Sequence, residues 1–118
     1  MTQEWPGTPV SPPAAVPGPA APRQAMPQIR FADDRDAMIR TVIGEAANQP
    51  DEGQTAVAAV INNRVRQRGL PASQVVLERN QFEPWGTAAS ASSLMAIQPN
   101  DPRYIRASAA VDQALAGA

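Results

Sequence analysis

The sequence predicts a mainly α-helical domain that follows a proline-rich arm. Three segments carry apolar residues at the i, i+3, i+4 spacing of a helix that packs one face against a core. Capping residues, glycine or proline stand where these segments begin or end. Eight of the thirteen prolines lie within the first 28 residues, which separates the arm from the helices. The 118 residues have room for one domain.

Residues 1–30 form the predicted arm, in which alanine, glycine and valine fill the spaces between the prolines. Proline interrupts helices, and this composition buries little apolar surface, so we expect a disordered linker. Its functional interpretation is a tether or spacer, which could also join the domain to a larger assembly. The alternative is an unselected tail. The arm has no basic segment followed by an apolar one, so the sequence predicts no secretory signal peptide.

The first helix is predicted from Asp34 to Ala47, with Asp33 or Asp34 as its N-cap. Glu45 lies near its end, directly after Gly44. A glycine inside a helix costs up to about 1 kcal/mol relative to alanine. One interpretation of Gly44 is that another part of the chain comes close to the backbone beside Glu45. The alternative is that Gly44 permits a tight helix crossing and Glu45 is a solvated carboxylate at the helix end. The predicted core-facing residues are Met38, Ile39, Val42, Ile43 and Ala46.

A second helix is predicted from Pro50, which suits a first helical position, to Arg68, with Gly69 as its C-cap. Its predicted buried residues are Val57, Val60, Ile61 and Val65. A short third helix is predicted over residues 71–78, with Val75, Val76 and Leu77 turned inward.

Residues 79–93 are predicted to form a loop that carries Gln81, Phe82, Glu83 and Trp85. The sequence Asn100-Asp101-Pro102 then predicts the cap and first turn of a last helix. The predicted apolar positions of that helix are Tyr104, Ile105, Ala109, Val111 and Leu115.

The absence of cysteine and histidine limits the chemistry of the chain. It excludes disulfides, thiol nucleophiles, Ser-His-Asp catalysis and the usual zinc sites, so we expect neither a metal nor another cofactor. The chain has ten basic residues, all arginine, and eleven acidic ones. This charge balance does not favour a nucleic-acid partner. No apolar run is long enough for a membrane span. Carboxylate acid–base chemistry remains.

One long segment, together with a shorter one, resembles the SleB-type cell-wall hydrolase family, which includes spore-cortex-lytic enzymes. The first contains a helix with Gly-Glu-Ala, a polar turn with Glu-Gly-Gln, and the pattern Ala-Val-Ala-x-Val-x-x-Asn-Arg. The second resembles the family's Gln-Phe-x-x-Trp segment. The matching residues are Gly44-Glu45-Ala46, Glu52-Gly53-Gln54, Ala56-Val57-Ala58, Val60, Asn63-Arg64, Gln81-Phe82 and Trp85.

This resemblance implies a small lysozyme-like domain over residues 31–118, mainly α here and α+β in the full family. It also implies that the family domain continues past the last helix, so we expect this copy to be incomplete at its C-terminus. The expected substrate is peptidoglycan. The expected reaction is cleavage of the MurNAc–GlcNAc bond by a lytic transglycosylase or muramidase mechanism.

The resemblance places the family's catalytic glutamate at Glu45. Burial beside apolar neighbours is the expected means of keeping such an acid protonated near neutral pH. Hydrolysis usually needs a second carboxylate, for which Glu83 and Glu52 are candidates, each with a solvated or capping role as the alternative. A lytic transglycosylase needs only one glutamate, which is the mechanism we favour.

Four residues of the loop are candidate substrate-binding residues. Gln81 and Glu83 can hydrogen-bond sugars, and Phe82 and Trp85 can offer apolar faces to sugar rings. A core position for Phe82 is an equal alternative.

Two alternative functions remain open: a peptidoglycan-binding remnant that does not cleave, and a virion-associated wall-degrading module. The expected location is the cell envelope, the periplasm or a virion. The sequence itself does not specify a compartment.

Overall fold

The computed structural model describes residues 28–78 and 81–117, and within these ranges the chain is helical and contains no strand. The mainly α prediction is confirmed. The elements in chain order are α1 (Asp34–Ala46), α2 (Asp51–Arg68), α3 (Ala72–Val75), a 3-10 turn (Glu83–Trp85), α4 (Ala88–Met95) and α5 (Pro102–Ala116). Residues 1–27 of the predicted arm lie outside the described residues, and the domain boundary at residue 31 stays a prediction.

Helix α1 lies at the centre of the domain and packs against the other four helices and the 3-10 turn. All five residues of its predicted core-facing stripe are buried. Ile29 and Phe31, just before the helix, pack against the same core. Burying apolar side chains on this helix is the main stabilisation available to so small a domain.

The helix ends follow the predicted capping signals. The Asp33 carboxylate accepts the backbone N–H of Asp36 at 2.7 Å and begins α1. Gly69 closes α2 in the left-handed conformation, with φ of 66°. Asp101 caps α5 directly before Pro102. Pro50 is the N-cap of α2 rather than its first residue, a difference of one position.

Two helical predictions are wrong. Helix α3 ends at Val75 and not at residue 78, because the chain turns there, and Leu77 remains 39% exposed. Helix α4 forms within and beyond the predicted loop, starting after Thr87, whose hydroxyl accepts the N–H of Ser90. A threonine cap followed by alanine and serine is enough to begin a helix, and burial of Ala91 and Leu94 holds it against the core.

Several predicted buried positions are also wrong. Val60, Ile105 and Leu115 are 43%, 58% and 42% exposed. Small residues take their place at the packed faces, because α2 and α5 lie against each other and alanine permits close approach. The buried residues of these two helices are Gln54, Ala58, Ile61, Ala107, Ala110, Val111 and Ala114. None of the described helices has the length and hydropathy to cross a membrane.

A buried polar cluster joins α1, α4 and α5. The Arg40 guanidinium donates to the Asp36 carboxylate at 2.9 Å. It also donates to the carbonyl oxygens of Leu94 at 2.6 Å and Ile97 at 2.8 Å. The Tyr104 hydroxyl donates to Asp36 at 2.6 Å. One guanidinium therefore satisfies a buried carboxylate and the end of α4 at once.

The cluster changes the proton affinity of two of its members. Burial raises the pKa of Tyr104 to about 12, and its hydrogen bond to ionised Asp36 acts in the same direction. Burial opposes ionisation of Asp36, but hydrogen bonds from Tyr104, the N–H of Ala32 and Arg40 outweigh it. The pKa of Asp36 therefore lies below its usual value.

We expect the free energy of unfolding to fall as pH rises from about 10 to about 12. The pKa of Tyr104 is higher in the folded chain than its ordinary value of 10.0, so the proton on Tyr104 stabilises the fold. This stabilisation is complete below pH 10 and is lost as the pH rises past the pKa of the folded state. Tyr104 is the only tyrosine, so phenolate absorbance reports it directly. Urea unfolding at several alkaline pH values measures the loss. Equal pH dependence in Tyr104→Phe would contradict this assignment.

Candidate active site

Glu45 lies in the last turn of α1 and is exposed to solvent. Its neighbours Val42 and Ala46 are buried. The expected burial of Glu45 beside apolar groups is wrong for the described chain, because those neighbours face the core while Glu45 points away from it.

Two adjoining depressions meet at Glu45, and we call them together the Glu45 cleft. The first has a volume of about 520 Å³ and the second about 330 Å³. They share Glu45, Glu83 and Thr87, so the two depressions adjoin along these three residues. The first is lined by Glu45, Gln81, Phe82, Glu83, Gly86 and Thr87, and the second by Gly44, Glu45, Glu83, Pro84, Thr87 and Ser90.

A close contact at Gly44 brings the two walls of the cleft together. A Cβ atom at this position would lie 2.7 Å from both Cβ and Cγ of Pro84 and 2.9 Å from Cδ1 of Leu94. Only glycine leaves room for this approach. The prediction that part of the chain comes close to the backbone beside Glu45 is confirmed: the 3-10 turn contributes Pro84 and helix α4 contributes Leu94.

We expect Gly44→Ala to reduce peptidoglycan cleavage by about 10- to 100-fold, since displacement of a site wall by about 1 Å has an effect of this size. Overpacking lowers the free energy of unfolding by about 1–3 kcal/mol, whereas the higher helix propensity of alanine raises it by up to about 1 kcal/mol. The net loss of stability is therefore modest. Gly53→Ala is the matched control, because its Cβ would lie 2.9 Å from Cβ of Gln49, a clash of similar size outside the Glu45 cleft. Equal activity of the two variants would contradict the prediction.

Trp85 lies in the core rather than on the cleft surface, with 6% of its surface exposed. Its indole N–H donates to the Thr41 hydroxyl at 2.8 Å, and Thr41 in turn donates to the carbonyl of Ala37 at 2.7 Å. The Phe31 ring meets it edge to face at 5.2 Å. The prediction that Trp85 faces a sugar is therefore not supported, because a buried indole needs a partner and finds it on α1.

The structure brings Gln81, Phe82 and Glu83 to the Glu45 cleft. Phe82 is 8% exposed, so it belongs to the core and also to the cleft wall. The Arg64 guanidinium lies 5.2 Å from the centre of the Phe82 ring, which is close enough for a cation–π interaction.

Glu52, the other candidate second acid, is not part of this cleft. It lines a separate depression with Asp51, Thr55 and Gln113. Four residues of the cleft are absent from the sequence prediction: Pro84, Gly86, Thr87 and Ser90. The capping pattern of Thr87 before an alanine- and serine-rich run was a signal that could have located Thr87 and Ser90.

Arg106 of α5 holds the chain just beyond Glu45. Its guanidinium donates to the carbonyl oxygens of Gln49 at 2.6 Å and Ala47 at 3.3 Å, and to the Asp51 carboxylate at 2.7 Å. A cation at a helix C-terminus is favourable because the last carbonyls carry partial negative charge. The end of α1 that bears Glu45 is therefore fixed to α5.

Comparison with known proteins identifies relatives over most of the described chain. The family model for cell wall hydrolases matches residues 48–118. A spore cortex-lytic enzyme of Oceanobacillus iheyensis is 39% identical over 82 residues, which cover 68% of this chain and 28% of that relative. A spore cortex-lytic enzyme of Bacillus subtilis is 38% identical over 69 residues, covering 58% of this chain and 22% of that relative. No solved structure matches the chain.

The chain thus spans about a quarter of the length of these curated relatives. The family match contains the cleft segment from Gln81 to Thr87 and begins three residues after Glu45. It covers more than half of the sequence, in agreement with the resemblance carried by its motifs. The chain belongs to the cell wall hydrolase family.

Proposed function

We propose that this chain cleaves the glycan strand of peptidoglycan at the MurNAc–GlcNAc bond, with Glu45 as the catalytic acid and then base. The observation that carries the proposal is that Glu45 lines both of two adjoining depressions. A sugar on each side of this residue would place the bond between them beside the carboxyl group. The spore cortex-lytic enzymes among its relatives agree with a cell-wall substrate.

The proposed reaction uses one glutamate for two proton transfers. Protonated Glu45 donates to the bridging oxygen as the C1–oxygen bond breaks, and positive charge develops on the ring carbon and oxygen of the MurNAc residue. The resulting carboxylate then takes the proton of the 6-hydroxyl of that sugar as this oxygen bonds to C1. The product is a 1,6-anhydromuramoyl end, and Glu45 returns to its protonated form.

The other lining residues suit a carbohydrate. Gln81 offers an amide to an N-acetyl or hydroxyl group, and Thr87 offers a hydroxyl at the junction of the two depressions. Phe82 contributes apolar surface to the same wall. Such a mixture of an apolar wall and a few polar groups is typical of sites for small polar ligands.

Mass spectrometry of soluble products from purified peptidoglycan tests the bond and the mechanism. Anhydromuramoyl ends are the expected result. Reducing muramoyl ends would show hydrolysis by water and overturn the single-glutamate mechanism, while release of peptides without glycan cleavage would overturn the proposal itself.

A non-catalytic binding module is the second candidate, favoured by the exposure of Glu45 in the described chain. An enclosing wall strengthens electrostatic catalysis, and Glu45 lacks one here. Sedimentation with insoluble peptidoglycan separates the two functions. Retention on the pellet with no soluble glycan fragments would establish binding alone.

A further inference from the structure

The Glu83–Trp85 turn is fixed to α1 at two adjacent points. Pro84 packs on Gly44 at a distance that excludes a side chain there. The Trp85 indole donates to Thr41, four residues before Glu45 and therefore on nearly the same face of the helix. These two contacts leave the backbone of Glu83 little freedom relative to Glu45.

Within residues 28–78 and 81–117, the Glu83 side chain has no ion-pair or hydrogen-bond partner that would explain it as a structural residue. It is exposed, and no described arginine forms an ion pair with it. It lines both depressions of the Glu45 cleft, a property shared only with Glu45 and Thr87 among the lining residues. A rigid turn thus holds a carboxylate where the two sugar sites would meet.

We propose that Glu83 is a second catalytic carboxylate that acts by its charge and transfers no proton. This inference rests on the proposed function. When the glycosidic bond breaks, its electron pair goes to the leaving oxygen, which takes the proton of Glu45. The positive charge left on C1 and the ring oxygen is then stabilised by ionised Glu83. Glu45 still performs both proton transfers, so the 1,6-anhydro product is unchanged.

The kinetic test uses soluble glycan strands and three variants of the full chain. Glu83→Gln keeps the shape of the side chain and removes its charge, so we expect kcat to fall about 100-fold with KM within about twofold of wild type. Glu83→Asp, which retains the charge, should keep a larger share of kcat. Glu52→Gln is the matched control, since this exposed glutamate lies outside the cleft.

A binding test separates failure of this inference from failure of the proposed function. The probe is a cationic iminosugar oligomer of N-acetylglucosamine, compared with its neutral parent. Wild type and Glu52→Gln should bind the cationic probe about tenfold more tightly, and Glu83→Gln should lose that preference. Discrimination by wild type without cleavage would contradict the proposed function, and with it a catalytic role for Glu83, while still placing the Glu83 charge at the sugar site. Equal discrimination by Glu83→Gln and wild type would overturn the role of Glu83.

Discussion

Glu45→Gln is expected to reduce the release of soluble glycan fragments by about 10²- to 10⁴-fold, the range typical for loss of a general acid or base. Glutamine has nearly the same shape but cannot donate the proton that the leaving oxygen needs. Because Glu45 is exposed, the free energy of unfolding should change by no more than about 0.5 kcal/mol. Product release from purified peptidoglycan and urea unfolding measure the two effects.

Glu52→Gln provides the control for this variant. It removes a glutamate of similar exposure that lies close in sequence but lines a different depression. Its activity should stay near that of wild type. A fully active Glu45→Gln would end the assignment of Glu45, whereas inactivity of both variants would point to a general effect of charge on binding to the cell wall.

Arg40→Met is expected to destabilise the fold by about 3–5 kcal/mol, the largest effect on stability that we anticipate. The substitution leaves the buried Asp36 carboxylate without its cation and the carbonyl oxygens of Leu94 and Ile97 without their donor. The total free energy of unfolding of a domain of this size is about 5–15 kcal/mol. The variant should therefore unfold at a markedly lower urea concentration and temperature than wild type.

Arg35→Met is the matched control for Arg40→Met. Arg35 also pairs with an aspartate, Asp112 at 2.9 Å, but both side chains of that pair are largely solvent-accessible. Exposed ion pairs contribute about 0–1 kcal/mol. Equal losses in the two arginine variants would contradict the structural role of the buried cluster.

Much of the fold was predictable because its signals are local. The stripe of α1, the glycine that ends α2 and the Asp101-Pro102 start of α5 each depend on residues within a few turns of one another. Gly44 predicted a close approach of the chain, although its partner Pro84, forty residues later, could not be identified without the structure.

The remaining errors concern contacts between distant segments. Trp85 in a loop beside proline and glycine gave no indication that Thr41 would receive its indole N–H. The burial of Arg40 depends on carbonyl groups more than fifty residues away. Ile105 and Leu115 fit the helical period but face solvent, because small alanines form the interface of α5 instead. The roles of the cleft residues remain predictions.

The contact between Gly44 and Pro84 also constrains how this domain can evolve. While the proline ring occupies this space, a side chain at position 44 would displace the turn and lower activity. A lineage would have to shorten or remove the residue at position 84 first, and that intermediate would move the neighbouring Glu83. Changes at these two positions should therefore appear together and in a fixed order in the history of the family, and they should coincide with changes in the cleft.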